Sequence, residues 1–121
     1  MQPKFKNQLT WSQAELLMQP ILIRVIDNLR QSLETSPWQG TYQEIQQPYL
    51  GYQLLLTKDK DVVNLDIWQL CFQICFLNYQ YGLTEDYIEI DTNLITDNGE
   101  VNWTNLEAKT KHIIQEIFND L

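Results

Sequence analysis

The sequence predicts an α+β domain in which a four-stranded antiparallel sheet is packed by an N-terminal and a C-terminal helix, in the order α-β-β-β-β-α. Two observations carry this. Both ends of the chain hold apolar residues at helical spacing behind a capping pattern, and the middle holds β-favouring stretches separated by turn residues. A third sets the scale. A chain of 121 residues with 44% hydrophobic content makes one domain of ordinary size, able to bury roughly two-thirds of its unfolded surface without staples. Residues 10–121 read as the single α+β domain and residues 1–9 as a flexible arm.

At the N-terminal end, Ser12-x-x-Glu15 has the form of a capping box, with Thr10 as an alternative cap. Leu22, Val25, Ile26, Leu29 and Leu33 follow at helical spacing, while Arg24, Asp27, Asn28, Arg30 and Gln31 fill the other side. The helix is expected to run to about Glu34. Pro20 should kink or restart it, because proline has no amide hydrogen to donate. "TSPWQGT" then breaks it through Pro37 and Gly40.

From Tyr42 the chain favours strands, one near 41–47 and a second at 51–58, with Pro48 and Gly51 between them. "KDKD", Lys58 to Asp61, is a polar turn, so 51–58 and the chain from Val62 onward form a hairpin. The most apolar stretch, "DIWQLCFQICFLNY", fits two periods. As a strand it places Trp68, Leu70, Phe72, Ile74 and Phe76 on one face and Gln69, Cys71, Gln73 and Cys75 on the other. As a helix it leaves a thin polar stripe of Asp66, Gln69 and Gln73. Its aromatic and β-branched content, with no Ala, Glu or Lys, favours a long strand from about Val62 to Asn78, bulged near Asp66. "YIEIDT", Tyr87 to Thr92, alternates as a fourth strand. Asn98 and Gly99 mark a turn. Thr104-x-x-Glu107 opens a second helix whose apolar face is Leu106, Ile113, Ile114, Ile117, Phe118 and Leu121.

The charge pattern narrows the function classes. The chain carries 8 basic and 16 acidic residues, a formal charge of −8. No Lys or Arg falls between Lys60 and Lys109, a span that holds Asp61, Asp66, Glu85, Asp86, Glu89, Asp91, Asp97, Glu100 and Glu107. Such a surface repels phosphate backbones and anionic lipid, which disfavours nucleic-acid and membrane partners. Solubility is the plain reading of the charge, and an acidic face for a basic partner the sharper one. No apolar run reaches the roughly 18 residues needed to span a membrane. "MQPKFKNQLTW" lacks the apolar core of a secretory signal, so a cytosolic location is expected. Two cysteines without such a signal suit free thiols in a reducing compartment.

Candidate chemistry is sparse. On a strand, Cys71 and Cys75 would lie about 13 Å apart, too far for a disulfide. Two thiols alone complete no zinc site. Buried, inert thiols are the simpler reading. His112 has no Ser or Cys partner in sequence. It reads as a surface or boundary histidine, with general-base work open in principle. Glu89 and Asp91 would share a face of the fourth strand. "DTNLITDNGE" matches a calcium loop at Asp91 and Asn93, but Ile95 and Thr96 occupy the next two required positions. Arg24, Asp27 and Arg30 suggest a surface ion-pair ladder, from which an arginine could reach a carboxylate or ligand. Trp11 and Trp103 stand close to helix caps, where they could act as staples. Trp38 follows the first helix. "PYLGY" offers Tyr49 and Tyr52 as an aromatic loop of the kind enriched at interfaces. Phosphate-binding glycine loops, nucleophile elbows, HExxH and CxxC motifs do not occur, and no cofactor or metal site is expected.

The segments "WSQAELLMQPILIRVIDNLR", "DIWQLCFQICF" and "GEVNWTNLEAKTKHIIQEIF" together resemble a family of small uncharacterised cyanobacterial proteins, a domain of unknown function. With their spacers they cover most of the chain. The resemblance implies a compact α+β domain with an antiparallel sheet. It implies no established activity, so it transfers no catalytic residue.

The sequence therefore points to a non-enzymatic protein–protein interaction module or homo-oligomer, possible as a homodimer. Its expected surface comprises Trp38, Tyr49, Tyr52, Gln69 and Gln73. The alternative is a small-molecule-binding protein or enzyme with a pocket between the first helix and the sheet, using Arg24, Glu89, Asp91 and His112 as polar groups. An exposed aromatic patch or symmetric interface would favour the first, and converging groups in a concave pocket the second.

Overall fold

The computed structural model describes residues 8–46, 51–77 and 89–121. Among them the chain forms α1 (Gln8–Glu34), β1 (Gln39–Ile45), β2 (Gly51–Lys58), β3 (Asp61–Asp66), α2 (Ile67–Cys75), a single 3₁₀ turn (Thr92–Leu94) and α3 (Trp103–Asn119). The fold is α+β, with three α-helices and an antiparallel three-stranded meander in the order β1-β2-β3.

α1 is longer than expected. It begins at Gln8, ahead of both Thr10 and Ser12, and continues through Pro20 as one helix. Apolar burial offsets the loss of the hydrogen bond that proline removes, because Leu17, Ile21, Val25 and Leu29 are wholly buried along one stripe. β1 and β2 pair from Gln39 opposite Thr57 to Ile45 opposite Gly51. β2 and β3 pair from Gln53 opposite Asp66 to Lys58 opposite Asp61. Asp59 turns this hairpin with φ 54, a left-handed conformation that aspartate tolerates better than most residues.

The expected long strand over 62–78 is corrected. The strand ends at Asp66, and Ile67–Cys75 is a helix. Asp66 makes the switch by accepting the Gln69 amide at 3.2 Å as the N-cap. The suspected bulge marks the place where the strand becomes a helix. Propensity pointed the wrong way because this helix is a core element. Ile67, Leu70, Cys71, Ile74 and Cys75 are all buried, and burial outweighs the weak backbone preference of aromatic and β-branched residues.

The expected fourth strand is likewise not found among the described residues. Tyr87 and Ile88 lie outside them, Ile90 makes an isolated bridge to Phe76, and Asp91 caps the 3₁₀ turn. The Asn98–Gly99 turn is present, with φ 80 at Gly99 and Ile95 bridged to Val101. α3 is capped by Asn102, which accepts the Asn105 amide at 3.1 Å, rather than by Thr104.

The layers follow from which faces are apolar. α2 packs on β2 and β3, while α1 packs on both α2 and α3. Leu54 and Leu56 of β2 point into this helical layer and are fully buried. No helix among the described residues is long and apolar enough to cross a membrane.

Candidate functional site

The strand register sorts the sheet's residues into two faces. Tyr42, Tyr52, Leu54, Leu56, Val63 and Leu65 share the face toward the helices. Thr41, Gln43, Gln53, Leu55, Thr57, Val62 and Asn64 share the other. The charges of these strands lie mainly on the helix side, at Glu44, Lys58 and Asp61. The outer face has one charge, Asp66, and its carboxylate is turned to capping α2. Thr41, Gln43 and Asn64 are exposed there, and Val62 keeps 60% of its surface in solvent. The result is a sheet face whose single charge is a capping carboxylate, bounded by two unpaired edges, β1 and β3, among the described residues.

The expected interaction residues do not form one patch. Trp38 is buried, with 8% exposure, in the core cluster. Its backbone amide donates to Ser36 Oγ at 3.1 Å, and the Lys58 ammonium lies 5.8 Å from the ring centroid. Tyr52 is half-buried and stacks on Tyr42, with centroids 5.5 Å apart and planes 6° apart. Burial, then the neighbouring Tyr52, pushes the Tyr42 phenol above its ordinary pKa. Gln69 and Gln73 belong to the outward side of α2, not to a sheet face, so the sheet surface expected from them and the two cysteines does not exist. Tyr49 lies outside the described residues.

The polar groups expected in a pocket do not converge either. Arg24 stands over the Trp103 ring at 5.0 Å, with its Nε 3.8 Å from Glu107 Oε2. The carboxylate it reaches is therefore on α3, and Arg30 alone forms the ladder, bridging Asp27 and Glu34. His112 is exposed and faces Glu116 at 3.1 Å. Glu89 is exposed. Asp91 is buried, accepting the Asn93 amide at 3.1 Å through Oδ1 and the Lys109 ammonium at 2.8 Å through Oδ2. Lys109 also donates to the Ile74 carbonyl at 2.6 Å, satisfying a carbonyl in the last turn of α2. This engaged carboxylate matches a structural clasp better than an open calcium loop. Among the described residues, no cluster of three or more His, Cys, Asp or Glu could hold a metal ion.

Cys71 and Cys75 are free, fully buried and one helical turn apart. Burial pushes both thiols up to about 12, so little nucleophilic thiolate exists at neutral pH.

A groove of about 450 Å³ opens between the end of α1, β2 and the end of α3, with Trp38, Lys58, Ser32 and Phe118 in its walls. A more polar hollow of about 610 Å³ lies by the start of α3, beside Asn93, Asp97, Asn102 and Asn105. Neither contains Arg24, Glu89, Asp91 or His112.

Sequence reasoning missed Lys109 and Tyr42. Lys109 had a visible signal, being the first cation after a long acidic span. Tyr42 had none beyond its place in a strand, because its stacking on Tyr52 depends on how β1 and β2 pair. No protein-family model, curated protein or solved structure matches the chain.

Proposed function

We propose that the chain is a non-enzymatic interaction module that engages a protein partner or a second copy of itself. The observation that carries this reading is the half-covered sheet. Among the described residues, helices pack on one face only, the other face carries a single charge, the capping carboxylate of Asp66, and the strand edges are open. Open edges present unpaired amides and carbonyls that another chain can satisfy. The polar groups best suited to catalysis are dispersed into separate pairs, which weighs against an active site assembled from them. A cytosolic setting belongs to the same reading and draws on the two free, buried thiols.

The test combines light scattering over a range of protein concentrations with cross-linking and capture from the source cytosol. A concentration-dependent dimer, or a captured partner whose cross-links map to the sheet, supports the module. A chain that stays monomeric and cross-links to nothing overturns it.

The groove beside Trp38 favours a second reading, a small-ligand binder. Its volume falls within the roughly 300–1,000 Å³ usual for ligand sites, and it combines an aromatic wall with the Lys58 ammonium. Ligand-induced NMR shifts confined to Ser32, Trp38, Lys58 and Phe118 would support that reading.

A further inference from the structure

We infer that β1, an edge of the sheet among the described residues, pairs with itself, and that two copies join antiparallel across it about a two-fold axis at Tyr42, so that the described strands of both make one continuous six-stranded sheet. This rests on the interaction reading above and names its partner and its surface. Two properties of β1 point to it.

The first is its lack of edge protection. Isolated edge strands are ordinarily defended by lysines, prolines, bulges or flanking charge. β1, "QGTYQEI", has no lysine, arginine or proline and one charge, Glu44, and its residues from Gln39 to Glu44 are all exposed. The other edge, β3, begins at the exposed Asp61 with the exposed Lys60 beside it.

The second is self-complementarity. A two-fold axis at Tyr42 uses the whole of Gln39–Ile45, because Tyr42 is its central residue. Gln39 then faces Ile45 of the second copy, Gly40 faces Glu44, and Thr41 faces Gln43. Glu44 therefore meets a glycine, so no like charges stand opposite each other, which matters for a chain of formal charge −8. Tyr42 meets Tyr42 across the axis. Each ring is already stacked on Tyr52 of its own copy, so pairing joins two preformed aromatic stacks. An isologous contact of this kind closes on itself and leaves the two β3 edges outermost.

The test is a charge swap on the full chain, measured by light scattering and analytical ultracentrifugation at about 0.15 M salt, where the Debye length is about 8 Å. Thr41 and Gln43 are exposed on the outer face and lie opposite Leu55 and Gln53 within the monomer. The T41K/Q43K variant places like charges opposite each other twice across the axis, as does T41E/Q43E. Each alone should dimerise roughly tenfold more weakly than the parent or worse, with an unchanged circular dichroism spectrum. Mixed in equal amounts, the two should form a heterodimer, because opposite charges then face each other. A second variant, Tyr42→Cys, should yield an oxidised dimer linked at position 42, the native thiols being buried.

A dimer indifferent to the charge swap and not linked through position 42 overturns the β1 pairing while leaving self-association intact. A parent chain monomeric at all concentrations also overturns it, and the broader reading then stands or falls on the capture experiment.

Discussion

The Lys109 ammonium lies 2.8 Å from the Asp91 carboxylate in a site where Asp91 retains 7% of its surface exposure. The pair joins α3 to the 3₁₀ turn, and the same ammonium holds the Ile74 carbonyl at the end of α2. Lys109→Met should therefore destabilise the fold by about 2–4 kcal/mol, because it leaves a buried carboxylate without its counter-charge. Asp91→Asn preserves an acceptor for the Asn93 amide and should cost less, about 1–2 kcal/mol. In urea denaturation the double variant should lose less than the two single losses together. Simple additivity would show that the two groups are not coupled.

Thr110 is wholly buried on α3, and its hydroxyl has no hydrogen-bond partner among the described residues. Valine has nearly the same shape without the stranded polar atom. Thr110→Val should stabilise the protein by about 1 kcal/mol, raising the melting temperature by about 4 °C. A fall on calorimetry would mean that the hydroxyl is satisfied.

Gly40 is needed for space. A Cβ there would approach Leu33 Cδ1 to 2.8 Å and Leu54 Cδ1 to 3.0 Å. Because both are ends of flexible side chains, Gly40→Ala should cost only about 1 kcal/mol and Gly40→Val up to about 3. The difference between these two chemical-denaturation midpoints is the diagnostic quantity, and equal midpoints would place the crowding elsewhere.

The thiols give a pH dependence with a definite sign. Burial raises Cys71 and Cys75 from 9.0 to about 12 in the folded state. The folded protein thus holds these protons more tightly than the unfolded chain. Their contribution is fully present below about pH 9 and is lost as the pH climbs toward 12. Stability measured in urea from pH 8 to 11 should fall along this limb, and fall less in C71A/C75A. A thiol reagent at pH 8 should label the native chain slowly and the unfolded chain at once.

The fold class, the terminal helices and the β2–β3 hairpin were legible in the sequence because each depends on local signals. Apolar spacing marked α1 and α3, and "KDKD" marked the hairpin turn. The segment from Ile67 to Cys75 was not legible in the same way. Its buried residues Ile67, Leu70, Cys71, Ile74 and Cys75 do recur at helical spacing, but Trp68 and Phe72 on the other side fill a strand alternation as well, and the residue types argue for a strand when taken alone. The information that decides it is the single Asp66 cap together with the tertiary burial behind it. The candidate site was less legible still. Trp38 reads as an exposed loop aromatic, yet it is part of the core. Which strand forms an edge follows from the sheet topology, which no local signal carries.

The contact between Asn28 and Glu107 has a further consequence during synthesis. Asn28 Nδ2 of α1 meets Glu107 Oε1 of α3 at 3.3 Å across 79 positions of chain. At about 5–20 residues per second, a ribosome needs roughly 4–16 seconds to travel that distance. Until α3 is made, the buried stripe from Leu17 to Leu29 has no α3 to close over it. The nascent protein thus passes through a stage in which the longest of its described helices lacks one of its covering elements.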